Sequence, residues 1–133
     1  MTLVIDASVA VGVLLGAEDA LEVFASDDHV NAPQMLPIET LSALRGLLRS
    51  RQIDAGQAER AAAALTEMPV DLWDHQPLIE AVWARRDQLS AYDAAYLATA
   101  ETLQASLVTG DRGLAERARA ALGADRVVLL KDQ

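Results

Sequence analysis

The segment LVIDASVAVGVLL, residues 3–15, decides the fold of this chain. Its first residues, Leu3 to Ile5, form a short apolar, β-branched run, which is typical of a strand buried on both faces of a parallel sheet. Asp6 ends that strand, and the residues from Ser8 to Leu15 predict a helix. A buried strand that leads directly into a helix indicates an α/β architecture.

The rest of the chain continues this alternation. Pro37 suits the first position of a helix, Asp54 and Gln57 form a capping pair, and Gly123 suits a helix stop. The pattern favours a parallel sheet covered by helices on both faces, with right-handed crossovers, in one α/β domain over residues 1–133. The further strands are predicted at 29–32, 70–73, 105–109 and 127–130, and the further helices at 19–25, 37–49, 55–67, 78–88, 92–103 and 114–122.

The composition limits the kinds of site and partner. The absence of cysteine excludes disulfides and thiolate zinc sites. The formal net charge of −9, from 20 acidic and 11 basic residues, argues against nucleic-acid binding through bulk electrostatics. Such acidity serves solubility in many proteins, or it holds cations that present positive charge to a phosphate. The apolar run from Val9 to Ala17 is shorter than the roughly 20 residues that span a bilayer, so we expect a cytoplasmic protein with no membrane segment.

Four acidic residues fall where predicted strands end or predicted helices begin. Asp6 follows the first strand, and Asp111 comes just after the fourth. Glu39 and Asp93 each lie in the first turn of a helix. Because ligands of open α/β sheets bind outside the carboxyl ends of the strands, we expect the four carboxylates to meet at one edge.

Carboxylates gathered in this way repel one another unless some are protonated or cations enter. Ligand sets made only of oxygen favour hard ions such as Mg²⁺ or Mn²⁺. Two such ions can activate a water and stabilise the leaving oxygen of a phosphodiester. His29 and His75 have no obvious partner in the sequence, and we expect both at the surface.

The helical positions of two acids predict how they are oriented. Asp93 shares a face with Tyr96, Leu97 and Ala100, so it should point partly inward. Glu39 lies on a face of small residues that would let its helix approach a neighbour closely. These residues are Ser42, Ala43 and Gly46.

Each acid also has a purely structural interpretation. Asp6 and Asp111 suit the N-caps of the helices that follow them. Ser90 and Asp93 resemble a capping box. Glu39 would complement a helix dipole. The location of all four at one edge favours a functional site.

The chain resembles the PIN-domain family and, within it, the VapC-type toxins of bacterial toxin–antitoxin pairs. The resemblance covers essentially the whole chain, in the order of the family, with no departure at the four acidic positions. The matching segments are VIDASV at 4–9, LPIETLSALR at 36–45, LSAYDAAYLATAETL at 89–103 and SLVTGDRGLA at 106–115.

The resemblance implies a three-layer α/β/α fold with a five-stranded parallel sheet. It implies endonucleolytic cleavage of RNA by metal-activated water, formation of a homodimer and inhibition by a small antitoxin protein. Ser8 and Thr109 match hydroxyl positions that support the site, although ordinary capping or strand-end hydrogen bonding explains them equally well. The residues that match the metal-binding acids, for Mg²⁺ or Mn²⁺, are Asp6, Glu39, Asp93 and Asp111.

Binding surfaces for RNA and for the antitoxin are also suggested by the sequence. Arg45, Arg49 and Arg51 lie on or just after the helix that begins near Glu39, where they would either guide the RNA backbone or form a solvated face. Apolar positions on the predicted helices 37–49 and 55–67 would offer a groove to a partner, or pack in the core.

Two other functions remain open at this point. The first is a PIN-like domain that only binds a partner and has no catalytic activity. The second is a Mg²⁺-dependent phosphoaspartyl protein, which normally needs a lysine near the phosphoryl group. Lys131, the sole lysine, lies beyond the last predicted strand, and Ser8 stands where such phosphatases carry a second aspartate.

Overall fold

The structure, a computed structural model, describes residues 1–26 and 28–131. Within these residues, five strands pair in parallel and form one sheet in the order β3-β2-β1-β4-β5. The strands are β1 (Thr2–Ile5), β2 (His29–Pro33), β3 (Asp71–Trp73), β4 (Ser106–Thr109) and β5 (Val127–Leu129).

Seven α-helices in the described residues cover the sheet. They form two groups: α1, α2, α3 and α4 pack together, and α6 packs with α5 and α7. One helix of each group, α1 or α6, contacts both β1 and β4. The predicted three-layer α/β/α fold is therefore confirmed. None of the described helices combines the length and apolarity needed to cross a membrane. The helices are α1 (Ala7–Leu14), α2 (Glu18–Ala25), α3 (Leu36–Arg49), α4 (Ala55–Leu65), α5 (Ile79–Ala84), α6 (Ala91–Leu103) and α7 (Arg112–Leu122).

The core lies between the central strands and α6. Val4 and Ile5 on β1 and Leu107 on β4 are completely buried. Every residue from Ala94 to Ala100 on α6 is buried as well, so the middle of this helix is enclosed on all sides. Its many alanines let it lie close to its neighbours, and its two ends reach the surface.

The strand order creates a crevice between β1 and β4. From β1 the chain continues to β2 on one side, whereas β4 pairs with β1 on the other side. Such a switch point is where open α/β sheets bind ligands. The register pairs Ile5 with Val108, which brings the next residues, Asp6 and Thr109, to the same edge.

The predicted element boundaries agree with the structure except in the predicted helix 78–88. The chain there forms a 3₁₀ turn over Gln76–Leu78 and the short helix α5, which ends at Ala84. The following turns bring Leu89, only 8% exposed, back into the core before α6 begins. Asp54 and Gln57 form the predicted capping box, and Gly123 ends α7 with a φ of +93°.

The prediction of a small-residue packing face on α3 was wrong. Ser42, Ala43 and Gly46 are exposed, and a Cβ atom added at Gly46 would meet nothing within 4 Å. The helix instead packs its buried face, which includes Thr40 and Leu44, against α1 and α4. Burial of leucine removes more apolar area from water than burial of glycine or alanine, so the leucine face is the one that packs.

Thr40 provides a test of this packing. Its side chain is completely buried, and within the described residues its hydroxyl has no hydrogen-bond partner. Because an unsatisfied buried hydroxyl is unfavourable, Thr40→Val should raise the free energy of unfolding by about 1 kcal/mol in chemical denaturation.

The matched control for this substitution is Thr99→Val. The Thr99 hydroxyl donates to the Ala95 carbonyl oxygen at 2.7 Å, so its loss should bring no such gain. A loss of stability in Thr40→Val equal to that in Thr99→Val would contradict the packing described for α3.

Candidate active site

Asp6 is the most deeply buried of the four acids at the carboxyl edge of the sheet, with 6% of its surface exposed. It follows β1 and caps α1, where its Oδ1 atom accepts hydrogen bonds from the Val9 N–H at 3.2 Å and the Ser8 hydroxyl at 2.5 Å. Its Oδ2 atom accepts from the Thr109 hydroxyl at 2.5 Å. Both oxygens of this buried carboxylate are therefore satisfied, which offsets the cost of its removal from water.

The same two hydroxyls connect Asp6 to the loop between β4 and α7. Ser8 Oγ accepts from the Gly110 N–H at 2.8 Å, and Thr109 Oγ1 accepts from the Asp111 N–H at 2.9 Å. Asp111 in turn caps α7, since its Oδ1 atom accepts from the Leu114 N–H at 3.1 Å. The backbone around Asp111 is thus held in register with Asp6.

Glu39 and Asp93 reach the same edge from helices on opposite faces of the sheet. Each lies in the first turn of its helix, α3 or α6, and each is half-buried. The Asp93 N–H donates to Ser90 Oγ at 3.1 Å. Glu39 Oε1 accepts from the Tyr96 hydroxyl at 3.2 Å.

Electrostatic effects connect the four carboxylates. Burial raises the pKa of Asp6, Glu39 and Asp93 above their ordinary values. Negative neighbours raise these pKa values further: Asp111 acts on Asp6 and on Asp93, and both Asp6 and Asp93 act on Glu39. For Asp6 the hydrogen bonds from Ser8, Thr109 and Val9 lower the pKa, but burial outweighs them.

The acids that cap helices also take part in the electrostatic cluster, so the structural and functional interpretations are compatible. Asp6 and Asp111 are N-caps, and each also belongs to the group of acids that repel one another. Only one half of the capping box suggested for Ser90 and Asp93 is present, because Ser90 accepts from the Asp93 N–H and the Asp93 carboxylate does not return the bond. The charges of Asp111 and Asp6 act on that carboxylate.

The chemistry of these donors suits a hard divalent cation, since every side chain in the group offers carboxylate or hydroxyl oxygen. Among residues 1–26 and 28–131, however, no three His, Asp or Glu side chains converge closely enough to form a metal-binding group. The acids are therefore an electrostatically coupled cluster and not a closed coordination shell.

The predicted basic residues lie on the surface of α3 and just beyond it. Arg45, Arg49 and Arg51 are all exposed. Arg49 is ten residues after Glu39, which is about 15 Å along a helix axis. An arginine that the sequence did not single out lies closer to the acids: Arg117 on α7 is exposed, and its charge lowers the pKa of Asp93, against the stronger effect of burial.

Two side chains, His75 and Tyr96, make contacts that the sequence did not predict. His29 is exposed as expected, but the Nε2 atom of His75 accepts a hydrogen bond from the Met35 N–H at 3.2 Å. The hydroxyl of Tyr96, which the sequence placed only on a buried helical face, reaches Glu39. The sequence signal for this contact was the polar hydroxyl of a tyrosine on a largely apolar helical face.

Comparisons with known proteins identify the family of this fold. The model of the PIN domain matches residues 3–120. Ribonuclease VapC9 of Mycobacterium tuberculosis is 34% identical over 118 residues, which cover 89% of this chain and 92% of the relative. Ribonuclease VapC1 of the same organism is 36% identical over 116 residues, which cover 84% and 87%.

A protein of Pyrobaculum aerophilum with a known crystal structure has a similar fold. Its TM-score is 0.69 at 24% identity, over 97% of this chain and 84% of that protein. The fold, the matched family model and the relatives lead to one assignment. This chain belongs to the PIN-domain family and, within it, to the VapC proteins.

Proposed function

We propose that this protein is a metal-dependent endoribonuclease, and that it is the toxin of a VapBC-type toxin–antitoxin pair. The observation that carries the proposal is the gathering of Asp6, Glu39, Asp93 and Asp111 at the switch point of the sheet. Thr109 links Asp6 to the loop of Asp111, and Tyr96 links Glu39 to the helix of Asp93. The negative charges of neighbouring acids also raise the pKa of Asp6, Glu39 and Asp93. The names of the relatives, which are ribonucleases, supply the substrate class.

These four residues would hold one or two Mg²⁺ or Mn²⁺ ions. When bound, such ions supply the positive charge and the acidified water that phosphodiester hydrolysis needs. The chain's own residues prepare the site. Ser8 and Thr109 fix both oxygens of Asp6, and the raised pKa values of Glu39 and Asp93 reflect an energetic cost that cations would relieve.

The partners follow from the same proposal. A groove of about 370 Å³ between α3, α4 and β3, lined by apolar residues that include Leu41, Leu65 and Leu72, supports binding of an apolar segment of an antitoxin. A second apolar surface includes Ile79, Trp83 and Tyr92, which are 57%, 67% and 62% exposed. Exposed aromatic and aliphatic side chains of this size support homodimer formation.

The first test is the substitution Asp93→Asn. We expect RNA cleavage to fall about 10²-fold or more, because the variant loses one charge of the site. The variant should be at least as stable as the wild type at neutral pH, since the raised pKa of Asp93 means that its ionised form is unfavourable in the folded state.

The sign of the pH effect follows from the same shift. As the pH falls through the raised pKa, the wild-type carboxyl becomes protonated, so the stability advantage of Asp93→Asn should shrink. Thermal unfolding between neutral and acidic pH measures it, with the exposed Asp87→Asn as control. Full activity of Asp93→Asn would show that Asp93 is not part of the catalytic site. A wild type that cleaves no RNA would favour a domain that only binds a partner.

The second test concerns the cations. Mn²⁺ at about 100 times its dissociation constant stabilises a folded protein by about 2.7 kcal/mol, which should raise the melting temperature of the wild type by several degrees. Asp6→Asn should show a clearly smaller shift, and the exposed Glu59→Gln on α4 should match the wild type. Equal shifts in all three proteins would exclude the acids as cation ligands.

The third test identifies the arginines that meet RNA. We expect Arg45→Ala with Arg49→Ala to weaken binding, and Arg117→Ala to do so as well because its charge already acts at Asp93. Each lost phosphate contact should reduce the slope of log K against log salt by about 1. Binding is measured without divalent ions, and Arg60→Ala on α4 is the exposed control. An unchanged slope would assign the substituted arginine to the solvated surface.

A further inference from the structure

The buried hydroxyl of Tyr96 lies between two of the elements that carry acids. The ring is completely buried within the core, where a phenylalanine would fill the same space. The hydroxyl nevertheless contacts polar groups on both sides. The backbone N–H of Ala7 interacts with its oxygen, and its proton is donated to Glu39 Oε1 at 3.2 Å.

The direction of this hydrogen-bond chain is fixed by the donors. Ala7 is the first residue of α1, where backbone N–H groups have no acceptor within the helix. The phenol oxygen meets that need, so its single proton is free to go to Glu39. Ala7 directly follows Asp6, and Tyr96 lies one turn after Asp93 on α6. One side chain therefore links the backbone beside Asp6, the helix of Asp93 and the carboxylate of Glu39.

Glu39 needs such a link more than Asp6 and Asp111 do. Asp6 and Asp111 are fixed by capping bonds to the backbone, whereas Glu39 has a longer side chain and is half-exposed. The negative charges of Asp6 and Asp93 repel it, which favours rotamers that point to solvent. The Tyr96 hydroxyl is the group that opposes this rotation within the described residues.

We propose that Tyr96 is a positioning residue that holds the Glu39 carboxylate toward Asp6 and Asp93. It occupies Oε1, which leaves Oε2 as the oxygen that would bind a cation. The inference rests on the proposed function, because it assigns Tyr96 a part in cation binding and cleavage.

The test uses Tyr96→Phe, which removes the hydroxyl and keeps the ring. We expect the kcat for RNA cleavage to fall about tenfold, since a hydrogen bond to a charged group is lost, while the KM for RNA stays within about twofold. The midpoint of Mn²⁺ activation and of the Mn²⁺-induced rise in melting temperature should increase severalfold. A higher Mn²⁺ concentration should restore part of the activity.

The control is Thr102→Val, which removes an exposed hydroxyl near the end of the same helix. It should leave kcat and the Mn²⁺ midpoint unchanged. In a Glu39→Ala background, Tyr96→Phe should produce no further change in the Mn²⁺-induced melting shift. That result separates an effect through Glu39 from a general loss of packing.

Two outcomes would overturn the inference while the proposed function stands. The first is a lower melting temperature of Tyr96→Phe with kcat and Mn²⁺ midpoint equal to those of the wild type, which would leave the hydroxyl a purely structural role. The second is an equal effect of Tyr96→Phe with and without the Glu39 carboxylate. A wild type with neither cleavage nor a Mn²⁺ shift would instead refute the proposed function, and the positioning role with it.

Discussion

The acidic edge of the sheet depends on the burial of one group, the Asp6 carboxylate between the ends of β1 and β4. A buried carboxylate is tolerated only when its oxygens are bonded, and here the hydroxyls of Ser8 in the first turn of α1 and of Thr109 at the end of β4 supply bonds. These hydroxyls also accept N–H groups of the loop before α7. The requirement to satisfy Asp6 therefore fixes the loop that presents Asp111.

The clustered acids carry an energetic cost that the remaining fold has to offset. Burial and mutual repulsion raise the pKa of Asp6, Glu39 and Asp93, so their charged forms weaken the folded state. The buried middle of α6 and the buried strands β1 and β4 belong to the core that adjoins them. This packed core keeps the carboxylates near one another despite their repulsion.

The sequence predicted those features of the acidic edge that depend on local sequence patterns. It missed features that depend on contacts between residues far apart in the chain. Asp6 and Asp111 could be located because a β-branched run, its end and the edge rule for parallel sheets are all visible in the sequence. The packed face of α3 could not be predicted from the sequence. Both its small-residue face and its leucine face could pack, and the positions of α1 and α4 determine which one does. The Tyr96 hydroxyl was missed for the same reason, because its acceptor is 57 residues away.

The order of the elements along the chain has a consequence for biosynthesis. The bond between Thr109 and Asp6 joins residues 103 positions apart, and Asp111 comes later still. A ribosome adds residues from the amino terminus, so the first acid emerges long before the strand that completes its surroundings. A nascent or truncated polypeptide that lacks β4 thus has no assembled acidic edge. The bond from Thr109 to Asp6 forms only once the fourth strand has docked beside β1.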